Sequence, residues 1–114
     1  MASDATRVPV HAVTGEAGRA AWIAARVAAD PGSLGLVHSH EMRTAGLVSL
    51  PGGCPCCTAR VALQVSLARL LRERRPSRIY VEIADAGHAA RLGEVLRGWP
   101  LGQYVEDAGE IRAG

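Results

Sequence analysis

Hydrophobic periodicity along this chain switches repeatedly between the two-residue repeat of a strand and the three-to-four-residue repeat of a helix. Arg7 to Thr14, "RVPVHAVT", alternates like a strand, with Val8 and Val10 on one face and Val13 supporting the end. Gly15 breaks it. "GRAAWIAARVAAD" then reads as an alanine-rich helix, with Ile23 and Val27 four residues apart and Trp22 beside them. Pro31 and Gly32 end that helix, and Leu34 to His38 is a short apolar run of strand length. A polar loop, "SHEMRTAG", leads to "LVSL" and the turn "PGG". Thr58 to Arg75 carries the clearest helical stripe, formed by Leu63, Leu67, Leu70 and Leu71, and Pro76 stops it. Arg78 to Ala84 is a third strand, with Ile79, Val81 and Ile83 alternating against Tyr80 and Glu82. "HAARLGEVLRGW" gives a third helix and "GQYVED" a last strand.

Strands alternating with helices predict βαβ units: an α/β fold with a small parallel or mostly parallel sheet flanked by helices. In such sheets function sits in loops beyond the carboxyl ends of the strands, here the Gly15, His38 and Asp85 loops. The 114 residues suit one domain, residues 1–114. Phe is absent, so its core has to be built from Leu, Val, Ile and Ala. A net charge of +2 is too weak to argue for nucleic acid, and "RERR", Arg72 to Arg75, reads as a solvated helix end. There is no long apolar leader and no membrane-spanning run, so a cytoplasmic location is expected, without membrane partners. Every basic side chain apart from His is Arg. A lysine Schiff base, a lysine general base and a phosphate-loop lysine are all excluded.

All three cysteines lie within "GGCPCC", as Cys54, Cys56 and Cys57. An extended "CPC" places Cys54 and Cys56 on one side, and Pro55 stiffens the connection. Cys57 precedes a helix start, where unpaired N–H groups and the helix dipole favour a thiolate. In a reducing compartment such crowding points to metal or redox chemistry rather than a structural disulfide framework. Three thiolates suit Zn²⁺ or another thiophilic ion such as Cu(I), and zinc wants a fourth donor. His38, His40 and Glu41 in "HSHE" are the candidates, with His88 behind them. The plainer readings are a packed strand-end His38, exposed His40 and Glu41, a helix-capping His88 and cysteines buried as small apolar groups. His11, inside the first strand, reads as packing.

With these residues in view, the chain resembles the N-terminal domain of the CobW-type GTPase and metallochaperone family. "VTGEAGRAAWI" stands where that family carries a "VTGxLGxGKTT" phosphate loop, and "GGCPCC" stands at its "GCxCC" metal motif. "RRPSRIYVEIADAGHAARL" is similar to the strand that ends in "ETTG". The resemblance implies a P-loop-NTPase-like half-domain, with Gly15 and Gly18 as remnants of the phosphate loop. The departures argue against GTP and Mg²⁺ chemistry. Ala20 replaces the second essential glycine, Ala21 the lysine and Trp22 the Mg²⁺-binding hydroxyl. Ile83, Ala84 and Asp85 replace the "TTG" after the strand-end acid, Glu82. Glu82 then has an alternative role, pairing with an arginine.

The expected function is a metal-binding CobW-like protein with a CxCC motif that no longer hydrolyses GTP and lacks the family's C-terminal domain. It would buffer or deliver the ion, or regulate a larger relative, as a homo-oligomer or in a hetero-complex. Two alternatives stand beside it: nucleotide binding with partner-completed GTPase activity, and a thiol redox or interaction protein.

Overall fold

The computed structural model describes residues 7–15, 17–38, 46–49, 60–99 and 101–113. Among these residues five strands form one sheet: β1 (Val8–Thr14), β2 (Ser33–Val37), β3 (Leu47–Ser49), β4 (Arg78–Glu82) and β5 (Val105–Arg112). Three helices alternate with them: α1 (Arg19–Ala29), α2 (Arg60–Arg74) and α3 (Ala89–Arg97). Short 3₁₀ turns, Ala86–His88 and Leu101–Gln103, lead into and out of α3. The strand order is β3-β2-β4-β1-β5, and every pairing is parallel. The parallel α/β sheet expected from the alternation is the one that forms.

Parallel strands need long crossovers, and the crossover helices cover both faces of the sheet. On one face Val10, Ala12, Leu36, Ile79 and Val81 pack against Leu63 and Leu67 of α2 and Leu92 and Leu96 of α3. On the other, Val13, Val37 and Tyr80 pack against Ile23 and Val27 of α1. This explains a departure from simple alternation in β4. Tyr80 and Glu82, the polar partners in that pattern, are also buried, because the second face is covered too.

Two strands differ from the sequence reading. "LVS" pairs as β3 through Leu47, Val48 and Ser49 alongside β2; three residues carry too little periodicity to show this. β5 runs to Arg112, well past "GQYVED". It is an edge strand carrying Glu106, Asp107, Glu110 and Arg112, and edges tolerate and even use such charges. Its register against β1 also shifts between Val10 and His11, so its side-chain alternation is broken midway.

His11 lies in the middle of β1, stacked on Tyr80 with ring centroids 5.6 Å apart. Its Nε2 accepts a hydrogen bond from Arg78, which leaves the neutral ring protonated at Nδ1. That Nδ1 is buried and meets no hydrogen-bond partner. Burial, and then the Arg78 cation, hold the His11 pKa below the usual histidine value, with the Gly109 backbone and Asp107 opposing more weakly. The packing role expected for His11 is the one it has.

Leu67 is 0% exposed and Val65, two residues earlier on α2, is 62% exposed. Leu67→Ala should therefore cost about 2–5 kcal/mol in urea unfolding. Val65→Ala should stay within about 0.5 kcal/mol. For His11 the folded pKa is the lower one. Its contribution to stability is present above the unfolded value of about 6.5 and is lost as pH falls through the folded value. Urea midpoints followed from pH 7.5 to pH 5 should fall more steeply in the parent chain than in His11→Gln.

Candidate functional site

From β1 the chain crosses through α1 to β2 on one side, and from β4 it crosses through α3 to β5 on the other. β1 and β4 are neighbours, so their following loops part and leave a crevice beyond the strand ends. Glu82, the last residue of β4, lies at the bottom of this crevice and is 6% exposed. Its Oε2 accepts a hydrogen bond from Arg19 Nε at 3.1 Å. Its Oε1 accepts one from the backbone N–H of His38 at 2.9 Å. Arg19 Nη1 in turn donates to the Gly15 carbonyl at 2.6 Å.

One carboxylate thus joins the end of β4, the first residue of α1 and the residue after β2. The guanidinium closes the circuit by holding the loop after β1. Both side chains are largely withdrawn from water, where Coulomb attraction is less screened. An ionised carboxylate in that position needs charge-assisted bonds to offset its desolvation, and Arg19 and the His38 amide supply them. The expectation that Glu82 pairs with an arginine is met, and Arg19 is the partner.

The two glycines of the "VTGEAG" loop each have a local reason to be glycine. Gly15 has a φ of 132°, and a Cβ there would come 2.1 Å from the Ala113 carbonyl oxygen. Gly18 precedes α1 with a φ of 76°, a left-handed turn into the helix that disfavours other residues. One is a turn glycine and the other a helix-start glycine, and neither position needs a ligand to account for it. Ala21 is exposed on α1. Trp22 lies edge-on to Tyr80 at 5.7 Å, with the Arg26 guanidinium 4.7 Å above its ring. The first turns of α1 are therefore occupied by packing.

After β4, Asp85 shapes a turn. Its Oδ1 accepts the Gly87 N–H at 2.9 Å and its carbonyl accepts the His88 N–H at 2.9 Å. His88 stands at the start of α3 but makes no side-chain cap; its Nε2 lies 3.6 Å from Asp85 Oδ2. The capping role read for His88 is thus corrected. The ring turns to the carboxylate of the preceding turn.

Of the metal candidates, His38 is half-buried at the C-terminal end of β2. Cys54, Cys56, Cys57, His40 and Glu41 lie outside the described residues. Among the described residues, no three His, Cys, Asp or Glu side chains converge to hold a metal. The role of Arg19 was the one sequence reasoning missed. No local signal in the sequence shows Arg19 reaching an acid 63 positions away.

Comparison with known proteins fits this topology. The profile described as "CobW/HypB/UreG, nucleotide-binding domain" matches residues 11–108. The chain belongs to that family. It is 38% identical over 50 residues to "Zinc chaperone YeiR" of Escherichia coli (strain K12). That match covers 44% of this chain and 15% of the relative's length. Comparison with solved structures gave no match. For this member of the CobW family, the strand-end acid at the switch point is engaged by the chain's own arginine.

Removing Arg19 alone would leave Glu82 buried with half its partners. Arg19→Met should lower stability by about 1–3 kcal/mol in urea unfolding. The double variant Arg19→Met/Glu82→Met should lose clearly less than the two single losses combined, because no uncompensated charge remains.

Proposed function

We propose that this chain is a metal-handling member of the CobW family whose cargo is Zn²⁺ or another thiophilic ion, and that it does not hydrolyse GTP. The observation that carries the second half is the engagement of both Glu82 oxygens. At the crevice where the family binds nucleotide, both oxygens of the strand-end acid are already engaged, by Arg19 and by the His38 amide. The residues present do not fit a nucleoside triphosphate with Mg²⁺. No lysine exists to neutralise the phosphates, and Ala21 and Trp22 stand where a lysine and a Mg²⁺-binding hydroxyl would be needed. Arg19 does not replace the lysine, because its charge is committed to Glu82.

The metal half rests on the sequence. Thiolates of Cys54, Cys56 and Cys57 are soft donors suited to zinc, and the segment bearing them leads into α2. His38, His40 and Glu41 follow β2 and are the candidates for the remaining donor. Similarity to a zinc chaperone supports zinc as the first ion to test. Because thiolates must lose protons to bind, affinity should rise with pH through the thiol range.

A second reading, nucleotide binding completed by another chain, is favoured by the family profile alone. Two measurements separate the readings. In competition with a chromophoric zinc chelator, anaerobically purified protein should withdraw zinc, and a triple Cys-to-Ser variant should withdraw far less. In isothermal titration with GTP and Mg²⁺, no saturable heat should appear. Equal chelator competition by the two proteins would remove the metal reading, and saturable micromolar GTP binding would restore the nucleotide reading.

A further inference from the structure

α2 carries two apolar stripes rather than one. Leu63, Leu67 and Leu70 face the sheet and are buried. On another side, Val61, Val65 and Ala68 follow one another at i, i+4 and i+7, with Arg72 a turn beyond, and all four are exposed. Val61 is 69% exposed and Val65 62%. β-Branched residues are not favoured at exposed helix positions, where Ala, Glu or Arg would stabilise the helix better. Helix propensity therefore does not account for this pair. Beside the stripe, a groove of about 260 Å³ lies between α2 and α3, lined by Arg60, Gln64, Glu94, Val95, Gly98 and Trp99. Trp99 forms part of its wall and is 81% exposed. An indole at the rim of a groove whose other wall is a helix bearing exposed valines is the composition of an interface anchor rather than of scattered surface apolar residues.

The charge around this surface selects its partner. α2 holds Arg60, Arg69, Arg72 and Arg74 against Glu73 alone. Among the described residues, the side chains of Arg60, Arg69 and Arg72 take part in no ion pair or hydrogen bond. Two copies of α2 brought face to face would oppose one arginine-rich helix with another, which disfavours self-association. A helix with apolar residues at heptad spacing and flanking carboxylates meets both features at once, placing its apolar side on Val61 and Val65 and an anchor in the Trp99 groove. We propose that this face of α2 docks an acidic amphipathic helix of a partner protein. The inference is independent of metal binding and of the crevice at Glu82.

The test uses the full chain and a fluorescein-labelled synthetic helical peptide with leucines at heptad positions and flanking glutamates. Binding is read by fluorescence anisotropy at low and high salt. Saturable binding is expected, weakened by salt and weakened about tenfold or more by Val61→Ser/Val65→Ser. Arg69→Gln/Arg72→Gln should weaken it by a smaller factor and flatten the salt dependence. Both double variants lie on exposed positions, and circular dichroism with urea unfolding verifies that each folds like the parent. Four outcomes overturn the proposal: no saturable binding, equal binding of a peptide with glutamine in place of glutamate, unchanged binding by both variants, or tighter binding of anionic vesicles or duplex DNA. A concentration-dependent dimer in sedimentation that Val61→Ser/Val65→Ser dissolves would assign the face to a second copy and overturn it equally.

Discussion

All five strands run the same way, and β1 and β4 lie side by side with connections leaving in opposite directions. Everything that distinguishes this chain depends on that arrangement. It brings the loop after β1, the end of β2 and the end of β4 to one place. Glu82 meets Arg19 from 63 positions away and the His38 amide from 44 positions away only because these three strand ends are neighbours. A carboxylate buried there without such partners would carry an uncompensated desolvation cost. Here it is the point where three connections are held in register.

The same site shows the family scaffold without a lysine in the loop after β1. A phosphate loop places a mobile lysine and a glycine-lined turn around an incoming anion. In this chain the loop's glycines are accounted for by its own packing: Gly15 against Ala113 and Gly18 at the turn into α1. The helix that follows presents Trp22 to Tyr80. The remaining cation, Arg19, answers an internal carboxylate. Membership of the CobW/HypB/UreG family describes the scaffold; the side chains at the switch point determine what chemistry that scaffold retains.

Covering both sheet faces has a further consequence. The α1 side gathers aromatic and polar side chains against one another. His11, Tyr80, Trp22, Arg26 and Arg78 form a stack of rings edged by guanidinium groups, all made from residues that look unrelated in sequence. On the opposite face α2 and α3 share an aliphatic core. Among the described helices, α2 alone keeps large apolar residues exposed on its outer side as well. That is why its sequence reads as less cleanly amphipathic than its burial, with Val61 and Val65 interrupting what would otherwise be a polar surface.

Much of the fold was legible from the sequence because its signals are local. The periodic valines of β1, the leucine stripe of α2 and the alternation in β4 each report the environment of their own segment. Their order along the chain is enough to imply parallel crossovers. The absence of lysine and the bunching of Cys54, Cys56 and Cys57 are likewise sequence facts, and they limit the available chemistry before any packing is considered. β3 was too short to announce itself. The second half of β5, past Asp107, was hidden by the charges an edge strand carries and by the register shift opposite His11. What only the tertiary structure decided is which arginine neutralises Glu82. Ion pairing is non-local, and thirteen arginines were available; the strand order selects Arg19 by bringing the start of α1 and the end of β4 within 3.1 Å.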